Sequence, residues 1–155
     1  MEQLRFAQVD PAEIVQRAAD LAETHAGWIT LRPEVREARE TEPIGVFAAL
    51  LADTRFEIPL CSWVVGPLTR KGPRPFSLGV QHSTGTHAVD RLADRGVNLG
   101  AGWRTVQDHP RRGLVVEVPH TSPVGTMIPW LLRAGSVLAK LEVTGRWDAE
   151  VHARG

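Results

Sequence analysis

The stretch LEVTGRWDAEVH, Leu141 to His152, alternates apolar and polar residues along most of its length. This period of two is typical of a β-strand with one face in a core and the other in water. Trp147 and Val151 fall on one face, whereas Asp148 and Glu150 fall on the other. A three-layer protein would cover both faces of its strands, so this stretch predicts a two-layer α+β sandwich.

Residues 75–152 as a whole predict the element order β-α-β-β-α-β. The strands and helices that precede the alternating stretch are predicted over 76–82, 87–97, 102–107, 113–119 and 125–140. With right-handed crossovers, this order is that of the ferredoxin-like sandwich. In that topology the first two strands run parallel, and the third strand lies between them.

The N-terminal third is more helical in its pattern. We expect one domain, in which residues 1–54 form a helical N-terminal part and residues 55–155 a sheet-containing part. The densely charged run 32–43 is predicted to be a solvated turn or loop, and residues 43–53 a short buried helix. One extra strand is predicted over 56–65, because its apolar residues fall on both faces.

Composition bounds the function. Lys and Arg together number 18, as do Asp and Glu, so there is no net charge to attract nucleic acid or an anionic membrane. No apolar run approaches the ~18 residues of a membrane span. Cys61 is the only cysteine and is predicted to be a buried thiol. We therefore expect a cytoplasmic protein with no cofactor and with neither nucleic acid nor membrane as a partner.

Polar residues cluster where two predicted strands end. GVQHSTGTH, Gly79 to His87, follows the first, and DHPRRG, Asp108 to Gly113, follows the second. Because one strand is predicted to lie between them, these ends should share a sheet edge, roughly 10 Å apart. The helix start after Ser83 offers backbone N–H groups to an anion, and Arg111 and Arg112 offer guanidinium groups.

A small anionic ligand at this edge is the leading hypothesis. The residues predicted to bind it are Ser83, Thr84, Thr86, His87, Arg111 and Arg112. The alternative is a small enzyme of hydrolase or isomerase type, with His82 or His109 as general base and Asp108 as an orienting carboxylate.

A third alternative is a structural or protein-interaction module without a catalytic site. The sequence leaves open a homodimer formed through an edge strand or the exposed sheet face. Four residues at the edge are of types that bind metals, namely His82, His87, Asp108 and His109. Their spacing matches no familiar metal motif, so no metal site is predicted.

The runs GVQ at 79–81, GW at 102–103 and GLVVEV at 113–118 resemble the acylphosphatases. That family shares the predicted element order and has a Val-Gln-Gly loop after its first strand. Here His82 replaces the glycine, and the family's loop arginine and its asparagine after Gly-Trp have no counterpart. The resemblance therefore implies the ferredoxin-like topology but not the activity.

Overall fold

The alternating C-terminal stretch is a strand inside a large antiparallel sheet. A computed structural model of the chain describes residues 1–36 and 56–154. In chain order these residues form β1 (Glu2–Ala7), α1 (Ala12–Thr24), β2 (Trp28–Val35), β3 (Leu60–Val64), β4 (Leu68–Thr69), β5 (Gly72–Pro73), β6 (Phe76–Gln81), α2 (Ala88–Asp94), β7 (Arg104–His109), β8 (Gly113–Val118), α3 (Met127–Val137) and β9 (Val143–His152). A 3-10 turn, Val124–Thr126, leads into α3.

The main sheet has seven strands in the order β1-β9-β2-β3-β6-β8-β7. Every neighbouring pair is antiparallel. Consequently β1 and β2 run parallel with β9 between them, and β6 and β7 run parallel with β8 between them. The short strands β4 and β5 form a separate hairpin.

This order corrects the predicted topology. The mixed α+β class is confirmed, and β8 lies between β6 and β7 as expected. A ferredoxin-like sandwich would also place β9 beside β6, but β3 occupies that position. The reason is that β9 is taken up by the N-terminal strands β1 and β2. The arrangement that the acylphosphatase resemblance implies therefore does not extend to β9.

The N-terminal part was predicted to be helical, but its described residues are helical only in part. It contributes strands β1 and β2 as well as α1, and β2 includes the start of the charged run. Ile29, Leu31 and Pro33 are buried on one face of β2, while the charged Arg32 and Glu34 lie on the other. These charged side chains lie on the open face of the strand. The helix predicted over 43–53 lies outside the described residues.

One face of the sheet is buried beneath the helices. A row of side chains crosses five strands in register, formed by Val151, Ile29, Trp63, Leu78 and Val116. All are nearly inaccessible to solvent and belong to one core cluster that also holds the apolar residues of the helices. Each such side chain contributes about 1.5–3 kcal/mol through its burial. The polar residues of β9 face the other way, as the alternation predicted.

The helix α3 is the centre of the covering layer. It packs across β2, β3 and β6, while α1 packs on β1 and β2, and α2 lies against β7. Cys61 is buried under α3, as predicted, and burial raises the pKa of its thiol to about 12. A thiol in this environment remains protonated and unreactive at neutral pH.

Candidate functional site

The two polar segments predicted to converge are neighbours in the structure. The carboxylate of Asp108, at the end of β7, accepts hydrogen bonds from the backbone N–H groups of Ala88 and Val89, each at 3.1 Å. The β7–β8 turn also abuts the end of β6, because a Cβ on Gly113 would lie 2.6 Å from the carbonyl oxygen of Val80. The ends of β6 and β7 therefore form one edge with the start of α2.

Asp108 occupies the N–H donors that had been assigned to a ligand. The helix begins at Ala88, several residues after Ser83, and no Ser or Thr side chain caps it. Its cap residue His87 adopts a left-handed conformation with a φ of 56°. The negative charge at the N-terminus of α2 is thus supplied by the chain itself, through the carboxylate of Asp108. An anion bound at this edge must use other donors.

His82 is the buried polar residue of the edge. It extends the inward-facing series Phe76, Leu78 and Val80 by one step, and only 1% of its surface is exposed. Its Nδ1 accepts a hydrogen bond from the backbone N–H of Thr84 at 3.2 Å. The Thr84 hydroxyl lies 2.8 Å from the same nitrogen.

The hydrogen bonds around Thr84 assign the proton on His82. Arg91 donates to the Thr84 hydroxyl oxygen at 2.9 Å, which leaves the hydroxyl hydrogen for Nδ1 of His82. Because Nδ1 accepts, the neutral ring carries its proton on Nε2. Within the described part of the chain, His82 Nε2 is buried without a hydrogen-bond partner, and so is the Ser83 hydroxyl oxygen.

Arg91 holds the whole loop, and sequence reasoning missed it. Besides the bond to Thr84, its guanidinium donates to the carbonyl oxygens of Gly85 and Thr86, both at 3.1 Å. An arginine on a short charged helix has the pattern of a solvated residue. Only the folded loop brings three oxygens within reach of one guanidinium, so no local signal could have identified it.

The electrostatic surroundings keep His82 neutral. Burial lowers the pKa of His82 below its ordinary value of 6.5, and the charge of Arg91 lowers it further, while Asp108 acts in the opposite direction. Near neutral pH the ring is therefore a neutral N–H donor with a fixed orientation.

His109 has a similar bonding pattern in the β7–β8 turn. Its Nδ1 accepts from the backbone N–H groups of Arg111 and Arg112, each at 3.1 Å, which closes the turn. The side chains of both arginines are exposed. His87 and Thr86 are also exposed, and His87 faces Asp90 at 4.0 Å. The structure thus unites His82, Thr84 and Asp108, and directs His87 away.

The described residues contain no group of three His, Cys, Asp or Glu side chains able to hold a metal ion. Across residues 1–36 and 56–154, no helix has both the length and the apolar character needed to cross a membrane. Comparisons with protein-family models, curated proteins and solved structures found no match to this chain. Function is therefore assigned from the geometry of the sheet edge.

Proposed function

We propose that the protein binds a small ligand through a carboxylate or phosphate oxygen at the edge where residues 82–84 meet residues 108–112. One observation carries this proposal, the buried Nε2–H of His82 that has no acceptor among the described residues. A buried N–H without a partner costs about 1–3 kcal/mol. A ligand oxygen that accepts a hydrogen bond from this N–H recovers that free energy.

Two arginines provide the counter-charge. Arg111 and Arg112 lie on the turn that Gly113 holds against the end of β6. Their guanidinium groups are exposed and form no ion pair with the described residues. A guanidinium matches the paired oxygens of a carboxylate or phosphate. Both oxygens of Asp108 accept from the backbone of α2, and the described residues show no hydrogen bond between Asp108 and either arginine side chain.

The bonding of the two histidines favours ligand binding over general-base catalysis. A general base needs an unprotonated ring nitrogen directed at its substrate. His82 and His109 both use Nδ1 to accept hydrogen bonds from neighbouring groups. In the neutral state the proton of each ring is therefore on Nε2, which is a hydrogen-bond donor and not a base.

Isosteric substitutions of His82 test the proposal. Asparagine places an acceptor near the position of Nδ1 and removes the Nε2 donor, whereas glutamine retains a donor near Nε2 and removes the Nδ1 acceptor. Orthophosphate and acetate are titrated into each protein at constant ionic strength, with ¹⁵N–¹H NMR as the readout. We expect saturable shifts at residues 82–84, 111 and 112 in the wild type and His82→Gln, and about tenfold weaker binding in His82→Asn.

Arg95→Ala serves as the matched control, since Arg95 is an exposed arginine at the far end of α2. It should leave both affinities unchanged, whereas the double variant Arg111→Ala/Arg112→Ala should weaken them. Wild-type affinity in His82→Asn, or no saturable response of the wild type to either anion, contradicts the proposal.

A further inference from the structure

A groove lies at the opposite end of the sheet from His82. It is enclosed by the last turns of α1, the β4–β5 hairpin and the segment that follows β8, and its volume is about 310 Å³. That volume is at the lower end of the ~300–1,000 Å³ typical of small-molecule sites. The whole of β6, roughly 17 Å of extended chain, separates this groove from residues 82–84.

The floor of the groove is apolar and tightly built. Ala22, Val65 and Phe76 line it. Gly66 sits beneath the hairpin, and a Cβ at that position would collide with the backbone carbonyl groups of Arg74 and Pro75. The absence of a side chain at Gly66 therefore lets the two segments approach closely and sets Arg74 at the rim.

The polar side chains at the rim of the groove do not form hydrogen bonds or ion pairs with one another. Arg74, His25, His120 and Glu23 line the groove, and none of their side chains forms a hydrogen bond or ion pair with a described residue. His25 is held at the rim by its left-handed backbone at the end of α1, where its N–H bonds to the carbonyl oxygen of Ala22 at 3.2 Å.

Two grooves on the open face of the sheet, among the described residues, differ from this groove because their acidic side chains have partners within the chain. Asp148 and Glu150 line both of them. Asp148 pairs with Arg5 at 2.9 Å, and Glu150 lies 3.4 Å from His152. Asp148 and Glu150 therefore have partners within the chain, whereas the polar groups at the rim near Arg74 can bind another molecule.

We propose that the groove beside Arg74 binds a small carboxylate with an apolar body. The carboxylate would pair with the Arg74 guanidinium, with His25 and His120 as neighbouring donors, and the body would cover Phe76 and Val65. Among the described residues the rim carries one guanidinium, two imidazoles and one carboxylate, that of Glu23, and the guanidinium would select a carboxylate head group. This inference is independent of the ligand proposed at His82.

Three six-carbon probes that share an apolar body and differ only in their head group test the requirement for a carboxylate. Hexanoate, hexanamide and hexylamine are titrated into the full chain and followed by ¹⁵N–¹H NMR. We expect hexanoate to give saturable shifts at residues 22–25, 65, 66, 74 and 76, hexanamide to bind about tenfold more weakly, and hexylamine to give no saturable shift.

Three exposed positions supply the variants. Arg74→Ala should weaken hexanoate binding about tenfold, and the control Arg70→Ala, a change to another exposed arginine of the same hairpin, should leave it unchanged. Glu23→Gln should tighten it, because the negative charge that the described residues place at the rim is removed. Unchanged melting temperatures show that each variant is folded.

Several outcomes would overturn the inference. They are equal affinity for hexanoate and hexanamide, unchanged affinity in Arg74→Ala, weaker binding in Glu23→Gln, or no saturable shift with hexanoate at all. Shifts confined to residues 82–84, 111 and 112 would also overturn it, since hexanoate would then occupy the edge beside His82. Failure of either ligand proposal leaves the other intact, because the two groups of reporter amides do not overlap.

Discussion

Asp108 shows how one side chain can stabilise an element that it does not belong to. It follows the start of α2 by 20 residues, yet its two oxygens satisfy two backbone N–H groups of that helix. In Asp108→Asn, one oxygen must serve both N–H groups and the charge is lost. We expect the free energy of unfolding to fall by about 1–2 kcal/mol, measured by urea denaturation.

Asp94→Asn is the matched control for that change, because Asp94 is an exposed residue at the last position of the same helix. Its free energy of unfolding should remain within about 0.5 kcal/mol of the wild type. Equal effects of the two substitutions would show that Asp108 acts only through general charge.

The buried ring of His82 links stability to pH. Its pKa is lowered on folding, so the unfolded chain binds more protons than the folded chain as the pH falls below the ordinary value of 6.5. This contribution to stability is therefore present above pH 6.5 and is lost as the pH decreases. We expect urea denaturation from pH 7.5 to 5.5 to show a steeper loss of stability in the wild type than in His82→Asn. Parallel curves would contradict this assignment.

At the level of elements, the contact between α3 and the sheet depends on Gly135. A Cβ at this position would lie 2.7 Å from the Trp147 ring and 2.8 Å from the Cys61 sulfur, and both side chains are fully buried. Gly135→Ala should therefore lower the free energy of unfolding by about 1–3 kcal/mol in urea or thermal denaturation.

Gly125 offers the comparison for Gly135. It lies in the 3-10 turn just before α3, and a Cβ there would have open space around it. Gly125→Ala should be neutral or stabilise the protein by up to about 1 kcal/mol, through the reduced freedom of the unfolded chain. A loss in Gly125→Ala as large as that in Gly135→Ala would show that close packing is not the cause.

The elements that sequence patterns predicted well are mostly those whose own residues show a clear apolar periodicity. The pattern identified β6, β7, β8, α3 and β9 with small errors at their ends. It missed β1, whose six residues are mixed in polarity and whose partner in the described sheet, β9, is about 140 residues away. It also missed β2, because the dense charge from Arg32 onward is typical of a solvated turn or loop, whereas Arg32 and Glu34 lie on the open face of a strand.

The candidate edge was predictable in its location but not in its chemistry. The convergence of 82–87 with 108–112 followed from β8 lying between β6 and β7. The role of Asp108 did not follow, since rules for helix caps consider only the residues just before a helix. The proton position on His82 depends on Arg91 and Thr84 together, which no spacing in the sequence reveals.

For the whole molecule, the pairing of the first and last strands predicts which segments open their backbone hydrogen bonds most rarely. Residues 29–31 and 149–151 lie in the interior of the sheet, with a strand on either side and helices above. The β4–β5 hairpin lies outside the main sheet and is mostly exposed. Native-state hydrogen exchange should be slowest at the first two segments and fastest in the hairpin. Equal protection in all three would contradict this distribution.

The place of β9 between β1 and β2 has a consequence for synthesis. A ribosome completes both N-terminal strands more than 100 residues before it begins β9. Until β9 emerges, β1 and one edge of β2 lack the strand with which they pair in the described sheet. These edges therefore stay open while more than 100 further residues are synthesised, and this part of the sheet can form only after β9 has emerged.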